Sequence, residues 1–509
     1  MAIPSEKLAT SLEALQRLQG KGKTIIRGRE LSQTHRERLL AYGFIRSVLR
    51  GWYIPTRPDE SEGESTSWYA SFWDFCTEYL NARYGEDWWL SAEQSIALHG
   101  GNWAIPKQLL VKSTRGNNNV TALLFGNSIF DIRSPLDEVS VEELRGVRAL
   151  TLPLALVQCS AASFAQSPID MRVALAQVGD ASEVLEPLLN GGHSVVAGRL
   201  AGAFRNIGRE RIANDILSTM QAAGYQVRER DPFLTPSPEL PLTREKSSNV
   251  NRIKLMWHNM REEVIRQFPK APGRLENAAE YLKAVEEKFV SDAYHSLSIE
   301  GYKVSEQLIE KVRSRNWNPV GQAADQEQKN AMAARGYWQA FQMVKASIKK
   351  VLSGENAGKV VDEDHSAWYR ELFAPSVVAG LLKPTDLAGY RNGRVYIKNS
   401  LHVPVNRDTL LEVIEALFKL LKEEPEASVR AVMGHFIFVY IHPYMDGNGR
   451  MARFLMNTML ASGGYPWTIL PVEERETYME ALEQASVGGD ITAFAAFVGG
   501  QVRRQMWGR

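Results

Sequence analysis

From Ser428 to Ile441 the chain is strongly apolar, and it is so again through Leu455, Met456, Met459 and Leu460 to a stop at Gly463-Gly464. A helix that is hydrophobic all round belongs at the centre of a bundle, so both runs must be buried. Between them stands His442-Pro443-Tyr444-Met445-Asp446-Gly447-Asn448-Gly449-Arg450-Met451-Ala452-Arg453, which is polar and rich in glycine. A polar loop is thus clamped between two buried helices, and the second helix starts inside it.

That loop has the parts of a site for a nucleoside triphosphate and an attacking hydroxyl. Gly447-Asn448-Gly449 lets backbone N–H groups converge at a helix start, where orphan donors and the helix dipole favour anions. Arg450 and Arg453 lie three residues apart on one face and reach successive phosphates as planar forks. Asp446 offers a hard oxygen ligand suited to Mg²⁺. His442 is the one nearby side chain that takes a proton near neutral pH.

The string also resembles the signature of the Fic family, H-x-F-x-D/E-G-N-G-R-x-x-R, with Tyr444 where Phe is usual; an aromatic there serves as the core anchor of the loop. The resemblance implies a protein adenylyltransferase, with ATP as substrate and Mg²⁺ as cofactor. A Ser, Thr or Tyr hydroxyl of a protein target attacks the α-phosphate, pyrophosphate leaves, and AMP stays on the target. His442 is then the general base, Asp446 the Mg²⁺ ligand, and Gly447, Asn448 and Gly449 the anion hole, with Arg450 and Arg453 on the β- and γ-phosphates.

Other segments resemble the same family over roughly residues 280 to 500. Ala388 to Pro404 reads as a β-hairpin turning at Asn392-Gly393. Its Gly389-Tyr390-Arg391, Val395, Ile397, His402 and Pro404 resemble the flap that pairs with a target peptide as an added strand. Arg475 to Leu482 resembles the helix whose Tyr478 lines the adenine pocket, although Tyr478 alone reads equally well as a core aromatic. Upstream, Ser296-Leu297-Ser298-Ile299-Glu300-Gly301 matches the family's inhibitory motif S/T-x-x-x-E-G/N, at the end of a helix beginning near Leu275. The implied role of Glu300 is to pair with Arg453 and deny the γ-phosphate its partner. Taken alone, a Glu before a helix-ending Gly is an exposed carboxylate beside a C-cap.

Competing readings share this site. A phosphotransferase variant of the family carries Lys where Gly449 stands, so Gly449 argues against it. A de-AMPylase would use Glu300 to orient water against AMP on a modified target. A reading of another class makes the chain a DNA-binding regulator or antitoxin-like protein.

At 509 residues the chain exceeds what one core usually supports, so two to four domains are expected. Pro232, Pro236, Pro238 and Pro241 mark a linker within residues 229 to 248. After it, residues 249 to 509 read as a mainly α Fic bundle. Before it, residues 1 to 60 read as a helix, a short strand, two more helices and a strand pair, an order that suggests a winged helix. Leu8, Leu12, Leu15 and Leu18 give the first helix its stripe, and Gly43 ends the helix from Ser32 to Ala41. With Arg50-Gly51 and the aromatic strand end, this region resembles AbiEi-type antitoxin regulators. Residues 61 to 228, including Ser91 to Gly100, resemble their mixed and helical second part. The fold class expected is therefore multidomain: an α+β winged-helix-like region, then a helical Fic bundle with a β-hairpin flap.

Net charge is only +1, yet Arg17 to Arg57 holds ten Lys or Arg against Glu30 and Glu37. Such a cluster favours polyanions, which makes DNA an expected partner through residues 17 to 57; a solvated basic face is the alternative. On the DNA reading, Arg36 and Arg38 face the groove while Arg46 and Arg50 flank the wing. No apolar run of membrane-spanning length occurs, and the N-terminus lacks an apolar signal stretch, so no membrane partner and a cytoplasmic location are expected. Two cysteines, Cys76 and Cys159, do not make a disulfide framework or cysteine metal site. Homodimers are common among Fic proteins of this type, although no interface signature is legible here.

Overall fold

The computed structural model describes residues 4–60, 63–135, 139–236, 247–273, 277–314 and 325–507. By contacts the chain forms two units: Met1–Arg252 with Tyr396–Val403, and Ile253–Val395 with Pro404–Arg509.

In the first unit the leucine stripe does its expected work. Helix α1 (Pro4–Gln19) packs Leu12, Leu15 and Leu18 with Ile26, Leu31, Leu39 and Ile45. Strand β1 (Ile26–Arg27), helix α2 (Gln33–Ala41), and strands β2 (Ile45–Leu49) and β3 (Trp52–Pro55) follow. The strands form an antiparallel sheet in the order β1-β3-β2. Ser32 caps α2 by accepting from the His35 amide, as a short hydroxyl at an N-terminus should. One of the two expected middle helices is only a 3₁₀ turn, Gly28–Glu30.

Next come α3 (Thr66–Tyr84), β4 (Trp89–Leu90), α4 (Ala92–His99), β5 (Gln108–Ser113), β6 (Asn119–Ala122), β7 (Ser128–Arg133), β8 (Val141–Leu144) and β9 (Val147–Leu150). Strands β4-β5-β7-β6 make one sheet, parallel only between β5 and β7. The tryptophans of this stretch are core: Trp68, Trp88 and Trp103 are buried with Phe72, Phe75, Val111 and Ile129. Helices α5 (Leu152–Gln158), α6 (Ser163–Gln166), α7 (Pro168–Gln177), α8 (Ser182–Asn190), α9 (Ser194–Asn206) and α10 (Glu210–Ala222) complete the helical part.

Residues 229–236, expected to begin a linker, are instead fastened to this unit. Glu229 pairs with Arg205 at 2.7 Å, Phe233 is buried, and Arg172 donates to the Thr235 carbonyl at 2.7 Å. Pro238 and Pro241 lie outside the described residues. Tyr396–Val403 also belongs here: the Ile105 amide donates to the Leu401 carbonyl at 2.9 Å, Lys398 reaches Glu64 at 2.9 Å, and Leu401 and Val403 pack on the tryptophan core.

The second unit is helical: α11 (Ser248–Gln267, from Ile253 onward), α12 (Ala278–Glu287), α13 (Phe289–Ile299), α14 (Glu306–Arg313), α15 (Asp325–Leu352), α16 (Ala357–Val378), α17 (Arg407–Glu423), α18 (Ala427–Ile441), α19 (Asn448–Ser462), α20 (Arg475–Gly488) and α21 (Thr492–Trp507). Helix α18 is the buried centre; its hydrophobic side chains from Ala427 to Ile441 are all in the core apart from the half-buried Val439. Ser296 to Glu300 close α13, which a break at Lys288 separates from α12. Among the described residues no helix is long and apolar enough to cross a membrane.

The expected β-hairpin at 388–404 is not formed: no residue there is in a strand. A two-residue type I′ turn needs positive φ at both central positions, and neither Asn392 nor Gly393 has it. The segment is held by side-chain bonds instead. Arg391, buried, donates from Nε to the His442 carbonyl at 2.8 Å and from Nη1 to the Gly393 carbonyl at 3.0 Å, and also reaches the Val405 carbonyl.

Candidate active site

Helix α18 ends on His442, which has left-handed φ and ψ of 53° and 61°. This conformation suits Gly or Asn at a helix end and costs other residues about 1–3 kcal/mol, so the surroundings must enforce it. Arg391 does so, with its backbone N–H on the Pro443 carbonyl at 2.9 Å and its guanidinium on the His442 carbonyl. The His442 Nδ1 lies 3.2 Å from the Val439 carbonyl. A carbonyl only accepts, so Nδ1 carries the proton and Nε2 keeps its lone pair. Burial pulls the His442 pKa down to about 4, so the ring is neutral and able to accept a proton at neutral pH.

The loop after His442 is held from three sides. Tyr444, only 1% exposed, stacks on Tyr369 at 3.9 Å between centroids with Tyr390 and Phe438 nearby, the anchoring role expected of an aromatic here. Asn448 accepts from the Tyr444 amide and donates to its carbonyl, both at 2.9 Å, so its side chain closes the loop and leaves only its backbone to face a ligand. Gly447 has φ of 83°, and a methyl there would stand 2.8 Å from the Phe373 ring. Any side chain there is strained and must push the Phe373 ring aside.

Helix α19 begins at this point with its first-turn amides free of intrahelical acceptors. Arg450 is buried between Tyr302 and Phe373, and its Nη2 lies 3.3 Å from Asp446. Asp446 keeps 63% of its side chain exposed at the rim. Arg453 turns inward: its Nε donates to the Ser296 hydroxyl at 2.8 Å and its Nη2 to the Ser296 carbonyl at 3.0 Å and to Glu300 Oε1 at 2.6 Å. Glu300 Oε1 stands 2.3 Å from where a Cβ on Gly449 would be, directly over the start of α19.

The structure therefore brings together His442, Asp446, Gly447, Asn448, Gly449, Arg450 and Arg453 with Ser296, Glu300 and Gly301. Tyr478 is buried beside Arg453 and interacts with it. It is 2% exposed, its hydroxyl 2.8 Å from His435 Nε2 and its ring beside Phe494 and Phe497. Among the described residues no group of three or more His, Cys, Asp or Glu gathers as a metal cluster. Mg²⁺ bound through one or two carboxylates plus substrate phosphates needs no such cluster, and the exposed Asp446 fits that mode.

Several residues of the site were not singled out from sequence for what they do. Arg391 stood in the expected flap, but its bonds to the end of α18 left no local signal. Phe373, Tyr302 and Tyr369 carry no sequence signal that separates them from core aromatics. Asp292 lies one turn before Ser296 and accepts from the Tyr337 hydroxyl at 2.7 Å; burial raises its pKa to about 6.

The model of the Fic/DOC family matches residues 364–460, a span that includes α18, the loop and most of α19. The chain is 27% identical over 227 residues to a protein named protein adenylyltransferase Fic from Drosophila ananassae, covering 44% of this chain and 42% of that one. It is 28% identical over 220 residues to the protein of the same name from Drosophila virilis, covering 42% and 41%. The chain thus spans about two-fifths of the length of the curated relatives it matches. Among solved structures, Fic-1 (residues 134–508) from C. elegans aligns at 19% identity with a TM-score of 0.38, covering 67% of this chain and 90% of that one. Ser296, Glu300 and Gly301 lie outside the matched Fic span, so their contact with it rests on the geometry above.

Proposed function

We propose that this protein transfers AMP from ATP to a Ser, Thr or Tyr hydroxyl of a protein target, and that Glu300 holds the transfer down. The observation that carries the reading is the Glu300–Arg453 pair across Gly449. A neutral His442 and the anion-attracting start of α19 stand in the same loop, and one carboxylate occupies the last arginine.

In the transfer, His442 Nε2 takes the proton of the target hydroxyl as its oxygen bonds to the α-phosphorus. The bond from that phosphorus to the bridging oxygen breaks, and pyrophosphate carries the electron pair away. The first-turn amides of α19 hold phosphate oxygens, and Arg450 and Arg453 take the β- and γ-phosphates. Asp446 would hold Mg²⁺, which supplies charge neutralisation on the phosphates. Positioning and charge stabilisation account for most of the rate.

With Glu300 in place, Arg453 is committed and ATP binds weakly or unproductively. Glu300→Gly should raise self-labelling from labelled ATP well above wild type, and adding His442→Ala should abolish it. Equal labelling with and without Glu300 removes the inhibitory role. Loss of label from a modified target incubated with wild type alone favours AMP removal; a carboxylate over Gly449 is where such a reaction would orient its water.

We also infer that residues 4–55 make a winged-helix-like module of AbiEi type, supported by the β1-β3-β2 sheet behind α2. Its DNA contacts need a different assignment from the one sequence suggests. Arg36 donates to the Gly28 carbonyl and Arg38 to the Lys7 carbonyl, so these two hold the module itself, while Arg46 donates to the Glu64 carbonyl just beyond it. Arg29 and Arg50 are exposed. On the DNA reading, replacing both by Ala should weaken duplex binding and flatten its salt dependence; a gel shift with no complex at low salt removes that reading.

A further inference from the structure

The turn that ends α13 delivers two side chains to two arginines. Gly301, with φ of 86°, reverses the chain, and the Tyr302 amide bonds back to the Leu297 carbonyl at 3.1 Å. Glu300 goes to Arg453. Two residues on, Tyr302 lays its ring against the guanidinium of Arg450, 5.2 Å from the centroid, with Phe373 at 5.0 Å.

The two contacts differ in kind. Glu300 holds Arg453 through a carboxylate, whereas Tyr302 meets Arg450 with its ring and a neutral hydroxyl contact and leaves Nε uncommitted. Arg450 is 1% exposed, its Nε is buried without a hydrogen-bond partner among the described residues, and Asp446 lies 3.3 Å from its Nη2. A buried donor left open is costly unless a ligand fills it.

We propose that Tyr302 is a positioning residue for nucleotide binding: its ring fixes the plane of Arg450 so that the open edge meets a phosphate. The segment that carries the brake is therefore part of the site it blocks. Relief of inhibition swings the Glu300 side chain off Arg453 while α13 and Tyr302 stay in place. This role rests on the nucleotide-transfer reading above.

The test is run in the full chain with Glu300→Gly, measuring KM for ATP, kcat for self-labelling and Tm. Adding Tyr302→Ala should raise KM about two- to thirtyfold with kcat within about threefold, the range expected for losing one guanidinium–ring contact used in binding. Tyr302→Phe, which keeps the ring and loses only the hydroxyl contact with Arg450, should recover most of the loss in KM. With Glu300 intact, Tyr302→Ala should not activate. An unchanged KM, or activation by Tyr302→Ala alone to the Glu300→Gly level, overturns the proposal. If the Ala variant does not fold, Tyr302→Leu keeps bulk without a π face and should show the same rise; a KM equal to that of Tyr overturns it. If Glu300→Gly labels nothing, the transfer reading is what fails. Calorimetric ATP binding with and without Tyr302→Ala then decides separately, weaker binding supporting the role and equal binding ending it.

Discussion

Replacing Glu300 by Gln keeps the shape of the side chain and removes the charge that competes with a γ-phosphate for Arg453. Arg453 is 4% exposed, and its 2.6 Å bond to Glu300 is charge-assisted on both sides. Such a bond is worth about 1.5–3 kcal/mol net, and ATP must displace it to use Arg453. Removing the competitor should tighten ATP binding about 10- to 150-fold, at about 1.4 kcal/mol per tenfold. The Glu300 side chain is 24% exposed, so solvent screening places the expectation near tenfold.

Isothermal calorimetry with ATP and Mg²⁺ on the His442→Ala background, where turnover cannot deplete the ligand, reads this directly. The same substitution strips the countercharge from a buried arginine that still donates to Ser296. The nucleotide-free variant should therefore be less stable by about 1–3 kcal/mol, and saturating ATP should recover the loss. Equal affinities with Glu and Gln, or a variant no less stable without ATP, would refute the claim that Glu300 and the γ-phosphate compete for one arginine.

Three further outcomes follow from the geometry. Burial holds the His435 pKa at about 3 in the fold, so the unfolded chain binds its proton first as pH falls below about 6.5. Stability is full above that pH and should fall by about 2 kcal/mol by pH 5 from this group alone; urea midpoints at pH 7 and 5 should differ less in His435→Phe, and an identical difference counts against it. Gly447→Ala forces a methyl into positive φ against Phe373 and should cost about 1–3 kcal/mol by thermal unfolding, with wild-type stability contradicting the fit. Asn448→Ala unties both polar groups of Tyr444 and should cut self-labelling of the Glu300→Gly form about a hundredfold through lost positioning; labelling within a factor of a few would show the clamp to be dispensable.

What the sequence by itself determined is what neighbouring residues can settle. A leucine stripe at helical spacing packed one face of α1, a run apolar all round buried α18, and Ser32 capped α2. The run from His442 to Arg453 carried its glycines, arginines and carboxylate in register with a helix start. Ser296 to Gly301 marked a helix end carrying a carboxylate. Each is written within a few turns of chain, where i to i+4 spacing and φ preferences act.

Tertiary structure decided which distant groups meet. Arg391 binds the end of α18 some fifty residues ahead, and that bonding takes the place of the hairpin that Asn392-Gly393 suggested. Residues 396–403 went to the tryptophan core of the first unit, not to the unit that flanks them in sequence. Arg36 and Arg38 turned inward to carbonyls of their own module, and Tyr302 found Arg450. Contacts of this kind leave no period in the sequence, because a guanidinium or a ring is satisfied by whatever acceptor or cation the packing brings to it.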